Sequence, residues 1–117
     1  MTHHILKATK ETVHLGGFSH QLEPVLTINS GDTVDIETYT GFHVCDKAPA
    51  EFLTPALRDI YQHLSPQQKI ASGPHLLTGP IFVQDAQPGD VLEVVLKKIT
   101  PSLPVGYNAI RQDCGAL

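Results

Sequence analysis

Residues 79–99 read GPIFVQDAQPGDVLEVVLKKI, and this stretch decides the fold class. Ile81 to Gln84 is short, apolar and β-branched, and Val91 to Ile99 places Leu92, Val94 and Leu96 on one face of an extended chain. Between them Pro88-Gly89 fits the two central positions of a type II turn, where proline presets φ and glycine accepts a positive φ. Val95 interrupts the alternation, so the second strand is expected to be buried on parts of both faces.

A similar sentence occurs upstream in EPVLTINSGDTVDIETYT, residues 23–40. Pro24 to Ile28 predicts a strand, Ser30-Gly31-Asp32 a turn, and Thr33 to Tyr39 an alternating strand. Val34, Ile36 and Thr38 share one face, and Asp35, Glu37 and Tyr39 share the other. Asp32 and Asp90 stand 58 residues apart in matching contexts. Gly-Asp is good turn chemistry in any β protein, so the match suggests an internal repeat without establishing one.

A helical insertion separates the two units. Thr54 followed by Pro55 is an N-cap with proline at the first helical position. Leu57, Ile60, Tyr61 and Leu64 then recur on one face. Ser65-Pro66-Gln67-Gln68 has capping-box spacing and starts a second short turn, which Ser72-Gly73-Pro74 ends. The fold expected is mainly β, a β-sandwich or barrel-like domain with a short helical insertion around residues 54–72. Residues 1–117 are read as a single β-rich domain. The tail after Ile99, with Pro101, Pro104, Gly106 and Gly115, reads as a connection to further chain.

Composition narrows the function classes. The 117 residues are 41% hydrophobic and 17% charged, as in a folded globular protein. A formal net charge of −4 and scattered Lys and Arg argue against nucleic acid as a partner. No apolar run approaches the ~20 residues that span a bilayer. The N-terminal MTHHILK lacks the apolar core of a secretory signal, and Cys45 and Cys114 form no disulfide framework. The expected location is the cytoplasm, with both thiols free.

Several residues have the chemistry of a site. Glu37, opposite the apolar face of its strand, is either a solvated carboxylate or an acid/base group or ligand facing a cavity. His43, Cys45 and Asp46 lie in the following loop and are all metal-capable, although a buried thiol beside a hydrogen-bonded histidine is the plainer reading. His75 lies between Pro74 and Pro80, which either hold its imidazole in place or merely shape the approach to the strand. The seven histidines show no other metal spacing, and no serine sits in a GxSxG context. A blue-copper reading of Gly31 to His43 fails on its second cluster. Only Gly115-Ala116-Leu117 follow Cys114, and the one methionine is Met1.

The stretch His75-x-x-Thr78-Gly79-Pro80-Ile81-x-Val83, followed by Ala86-x-Pro88-Gly89-Asp90-Val91-Leu92-Glu93-Val94, resembles the acetamidase/formamidase family. Pro24-Val25-Leu26-x-Ile28-x-x-Gly31-Asp32-Thr33-Val34-x-Ile36-Glu37-Thr38 resembles the family's upstream motif, in the right order. The resemblance spans roughly residues 20 to 100. It implies a largely β hydrolase that cleaves the C–N bond of small linear amides and releases ammonia, assisted by a divalent metal such as zinc. On that reading this chain is the N-terminal portion of a longer one. His75 and Glu37 become the catalytic candidates, and His43, Asp46 and His75 the metal candidates. Tyr39 to His43 departs from the family's Gly-rich continuation, which suggests another substrate. The partners implied are a small amide and either further copies of the chain or the remainder of the same polypeptide. The alternative is a non-catalytic β-rich binding or interaction domain on the same scaffold.

Overall fold

The computed structural model describes residues 1–39, 49–104, 106, 112–113 and 115. Among the described residues there are six short strands: β1 (His3–Leu6), β2 (Val13–Leu15), β3 (Leu26–Ile28), β4 (Thr33–Ile36), β5 (Leu76–Thr78) and β6 (Ile81–Val83). They form three two-stranded sheets, of which β1–β4 and β3–β6 are parallel and β2–β5 is antiparallel. Among the described residues none of these sheets closes into a barrel.

The helix α1 (Pro55–His63) lies where the sequence predicts it. Thr54 has extended backbone angles, and its hydroxyl accepts the Leu57 N–H at 3.2 Å while donating to the Tyr39 hydroxyl at 3.3 Å. The cap therefore starts the helix and also fixes its distance from the end of β4. The apolar face buries Leu57, Ile60 and Leu64, whereas Tyr61 is half out of the protein. These three side chains pack with Ala8, Val13, Leu15 and Leu76 into one small core, flanked by Tyr39 and Leu53.

A 3-10 turn, Pro66–Gln68, follows the helix. Gln68 Oε1 accepts both the backbone N–H and the hydroxyl of Ser65, each at 3.0 Å. Its Nε2 donates to the carbonyls of Lys10 (2.6 Å) and Val13 (2.8 Å). One amide thus ties the helical insertion to the start of β2. We expect Gln68→Ala to cost about 2 kcal/mol in urea unfolding, because two carbonyls lose their donor. Gln68→Glu should cost more, since it sets a carboxylate against those same carbonyls. Equal costs for the two substitutions would count against this clamp.

The two turns match in detail. In the first, Gly31 has φ +89°, Asp32 N–H donates to Asn29 O at 3.1 Å, and Asn29 N–H donates to Asp32 Oδ2 at 3.0 Å. In the second, Gly89 has φ +99°, Asp90 N–H donates to Gln87 O at 3.0 Å, and Gln87 N–H donates to Asp90 Oδ2 at 2.9 Å. The strands leading into these turns, β3 and β6, pair with each other, Leu26 opposite Ile81 and Ile28 opposite Val83. The strand-to-turn half of the suggested repeat is thus matched in geometry, with Gln84 to Ala86 as extra residues in the second copy.

The strands leading out differ. β4 pairs with β1, His3 opposite Thr33 and Leu6 opposite Ile36. The strand expected over Val91–Ile99 pairs with no described residue and is exposed throughout. Alternating apolar residues supply a face, but a strand also needs a ladder of backbone partners, and the described chain provides none here. The other strands are shorter than predicted for a similar reason: beyond Ile36 and Val83 one further ladder bond forms at each end, Glu37 N–H to Leu6 O at 2.9 Å and Gln84 N–H to Ile28 O at 2.7 Å, and pairing then ends although the pattern of β4 continues.

Candidate functional site

The Thr78-Gly79-Pro80 turn is a junction of four chain segments. Thr78 Oγ1 donates to Glu37 O at 2.8 Å, Gly79 N–H donates to Thr12 O at 2.9 Å, and Val25 N–H donates to Pro80 O at 2.9 Å. Gly79 is buried with φ +134°, and the Gly79–Pro80 peptide is cis. The turn therefore joins the end of β4, the start of β2 and the approach to β3. The two sequence motifs that frame Glu37 and Thr78 meet here through the Glu37 backbone.

The fourth connection is His14 in the middle of β2. It is 5% exposed, and its Nδ1 lies 3.2 Å from Gly79 O. A carbonyl oxygen can only accept, so Nδ1 carries the proton of this bond. In the neutral ring Nε2 then keeps its lone pair and can accept a proton or bind a metal. His14 lines a cavity of about 340 Å³ together with Ser19, His20, Leu77, Thr78 and Pro80. His14 also lines a second cavity of about 340 Å³, together with Lys10, Glu11, Glu23 and Gln68, among others. The site thus has a buried imidazole of defined tautomer that lines both cavities, with a hydroxyl and a second imidazole in the lining of the first.

Sequence reasoning counted His14 without singling it out. The available signal was a polar residue inside the run Val13-His14-Leu15, since a histidine buried among strand residues needs a hydrogen-bond partner. That partner, Gly79, is 65 residues away and could not be read from spacing.

The residues that the sequence did single out lie as follows. The Glu37 side chain is 29% exposed and forms an ion pair with Lys7 Nζ at 3.4 Å. His75 is exposed, and its carbonyl accepts the Gly16 N–H at 2.8 Å. Among the described residues no hydrogen bond or ion pair joins the Glu37 and His75 side chains. His43, Cys45, Asp46 and Cys114 lie outside the described residues. Among those described, no three His, Cys, Asp or Glu side chains gather as a metal-binding group.

Electrostatics set apart one carboxylate away from the cavity. The Asp32 side chain is 4% exposed and accepts from Thr2 N–H (2.9 Å), Asn29 N–H (3.0 Å) and His4 Nε2 (2.9 Å). The Thr2 N–H above all, then the Asn29 N–H and then the His4 ring hold it well below the usual carboxylate range. A depressed carboxylate stabilises the fold above its unfolded pKa of about 4 and loses that contribution as pH falls further. We expect the urea midpoint to drop as pH is lowered from about 4. In Asp32→Asn this acid dependence should flatten; an unchanged slope in that variant would place the acid sensitivity elsewhere.

No family model matches the chain, and no curated protein matches it either.

Proposed function

We propose that this chain carries part of an amide-hydrolysing site of the acetamidase/formamidase type, acting on small linear amides and releasing ammonia. One observation carries the reading: the motif segments holding Glu37 and Thr78 meet at 2.8 Å beside a cavity of small-molecule size. Its lining suits the chemistry. His14, with Nδ1 engaged, offers Nε2 to take a proton from the water that attacks the amide carbonyl. The same proton then returns to the departing nitrogen, which leaves as ammonia.

In this proposal His75 and Glu37 remain catalytic candidates, with His43, Asp46 and His75 as holders of a divalent metal such as zinc. Imidazole and carboxylate are the right donors for that ion. When bound, it would polarise the amide carbonyl and acidify a water. The reading also places the protein in the cytoplasm, with its small sheets completed into a sandwich or barrel by further copies or further chain. No helix among the described residues is long and apolar enough to cross a membrane.

The test is ammonia release from formamide and acetamide by the protein supplemented with zinc, with and without a chelator. His14→Ala should lower kcat/KM by about 100-fold, the usual contribution of a positioned general base. Absence of ammonia above the buffer rate with either substrate would end the amidase reading. A second reading, a binding domain without chemistry, is favoured by the uncovered apolar segment after Gly89.

A further inference from the structure

The internal repeat leaves one of its two positions unfilled. In the first copy, the strand leaving the turn receives β1 alongside it, in parallel. Thr33 N–H donates to Thr2 O and Glu37 N–H to Leu6 O, each at 2.9 Å. The turn's aspartate then clamps the incoming strand: Asp32 Oδ1 accepts Thr2 N–H, and Oδ2 accepts the His4 ring, two residues on and therefore on the same side of an extended chain. In the second copy the turn is built alike, and Asp90 Oδ2 likewise accepts the N–H of the turn's first residue. Its strand has no β1 equivalent among the described residues, and Asp90 is exposed.

We propose that residues 91–96 form a receiving edge for an extended polypeptide segment laid parallel to them, with its leading N–H and a histidine or other cationic side chain two residues on held by Asp90. The register follows from the first copy. Counted from Asp90, the amides of Val91, Glu93 and Val95 correspond to those of Thr33, Asp35 and Glu37 counted from Asp32, in β4 and one residue past it. The ladder formed is then β-strand addition, in which backbone bonds give affinity and side-chain pockets give specificity.

The surface agrees with an occupant of polypeptide size. Val91, Leu92, Val94, Val95, Leu96 and Ile99 are 67–93% exposed. Contiguous exposed apolar side chains of this kind mark interaction surfaces. The segment's far end is positioned by Lys97 Nζ, which donates to Thr33 Oγ1 at 2.8 Å. The β1 strand of a second copy is a poor occupant, because its own Asp32 already holds it. The inference stands whether or not the amidase reading does.

The probe is an acetylated, fluorescent peptide with the sequence of residues 1–8, MTHHILKA, added to the 117-residue protein. Anisotropy should saturate, and backbone NMR should show the amides of Val91, Glu93 and Val95 gaining protection from exchange. Replacing the peptide's second histidine with alanine should weaken binding about tenfold, the loss expected for one charge-assisted hydrogen bond. That change leaves the protein's own fold untouched, and Asp90→Asn should weaken the unmodified peptide likewise. Three outcomes overturn the proposal. One is no saturation up to about 1 mM peptide. Another is protection at Thr33, Asp35 and Glu37 instead, which would mean exchange with β1. The third is protection at residues 91–95 without peptide together with a dimer in sedimentation, which would make a second copy the occupant.

Discussion

Gly16→Ala abolishes the cooperative unfolding transition or costs it about 4 kcal/mol or more, at the far end of what single substitutions do. Two separate causes add. Gly16 has φ +96°, where an L side chain is strained by roughly 1–2 kcal/mol. A Cβ built there would also lie 2.1 Å from Ala71 O and 2.7 Å from Ala71 C. Those atoms are backbone and cannot rotate aside. They belong to the segment that lines the outer edge of β2, where Ile70 N–H donates to Leu15 O at 2.8 Å and Gly16 N–H donates to His75 O at 2.8 Å. Making room for a methyl would therefore pull the stretch between the 3-10 turn and β5 away from β2. Gly89→Ala is the control, because Gly89 has φ +99° but nothing within 4 Å of its would-be Cβ. It should cost only the conformational part, about 1–2 kcal/mol. If the two variants unfold at the same urea concentration, the close approach of β2 and Ala71 is wrong.

Ile60→Ala should destabilise the chain by about 4 kcal/mol, within the range for removing a large aliphatic side chain from a core. Ile60 is 0% exposed and Leu57 1%, the two largest fully enclosed side chains described. They are the central layer between α1 and the β2–β5 sheet, through Val13, Leu15 and Leu76. With so few buried neighbours, a cavity here is large relative to the whole core. A domain typically has only 5–15 kcal/mol of stability to lose. Tyr61→Ala provides the contrast: its ring is 40% exposed and stands outside that buried layer. It should cost clearly less than Ile60→Ala in the same urea titration, and the reverse order would relocate the core contact of α1.

The sequence pattern placed four residues of α1 on one face, and the structure divides them. Leu57, Ile60 and Leu64 meet the sheet, while Tyr61 lies at the margin with its ring partly in solvent. Periodicity gives the angular position of a residue on a helix but not the width of the surface it packs against. The candidate site shows the same division. Thr78-Gly79-Pro80 was legible as a special turn because glycine and proline mark unusual backbone. Its role as a junction was not, since its partners are Thr12, His14, Val25 and Glu37. His14 itself carries no motif, and its importance comes from burial and from one carbonyl contributed by β5's exit.

What the sequence determined by itself is what local chemistry decides within about four residues. Thr54-Pro55 starts a helix because a hydroxyl and a fixed φ act on the next turn of backbone. Asn29 to Asp32 and Gln87 to Asp90 turn because glycine takes a positive φ and the aspartate caps the first N–H of the same turn. The tertiary structure decided which strands find partners. β1 reaches β4 across thirty residues and β3 reaches β6 across fifty-five, while Val91–Ile99, the longest strand the sequence predicts, pairs with no described residue. The physical reason is that a turn or a cap satisfies its own hydrogen bonds locally. A strand's N–H and C=O groups point sideways, so its structure depends on whatever chain comes to lie beside it.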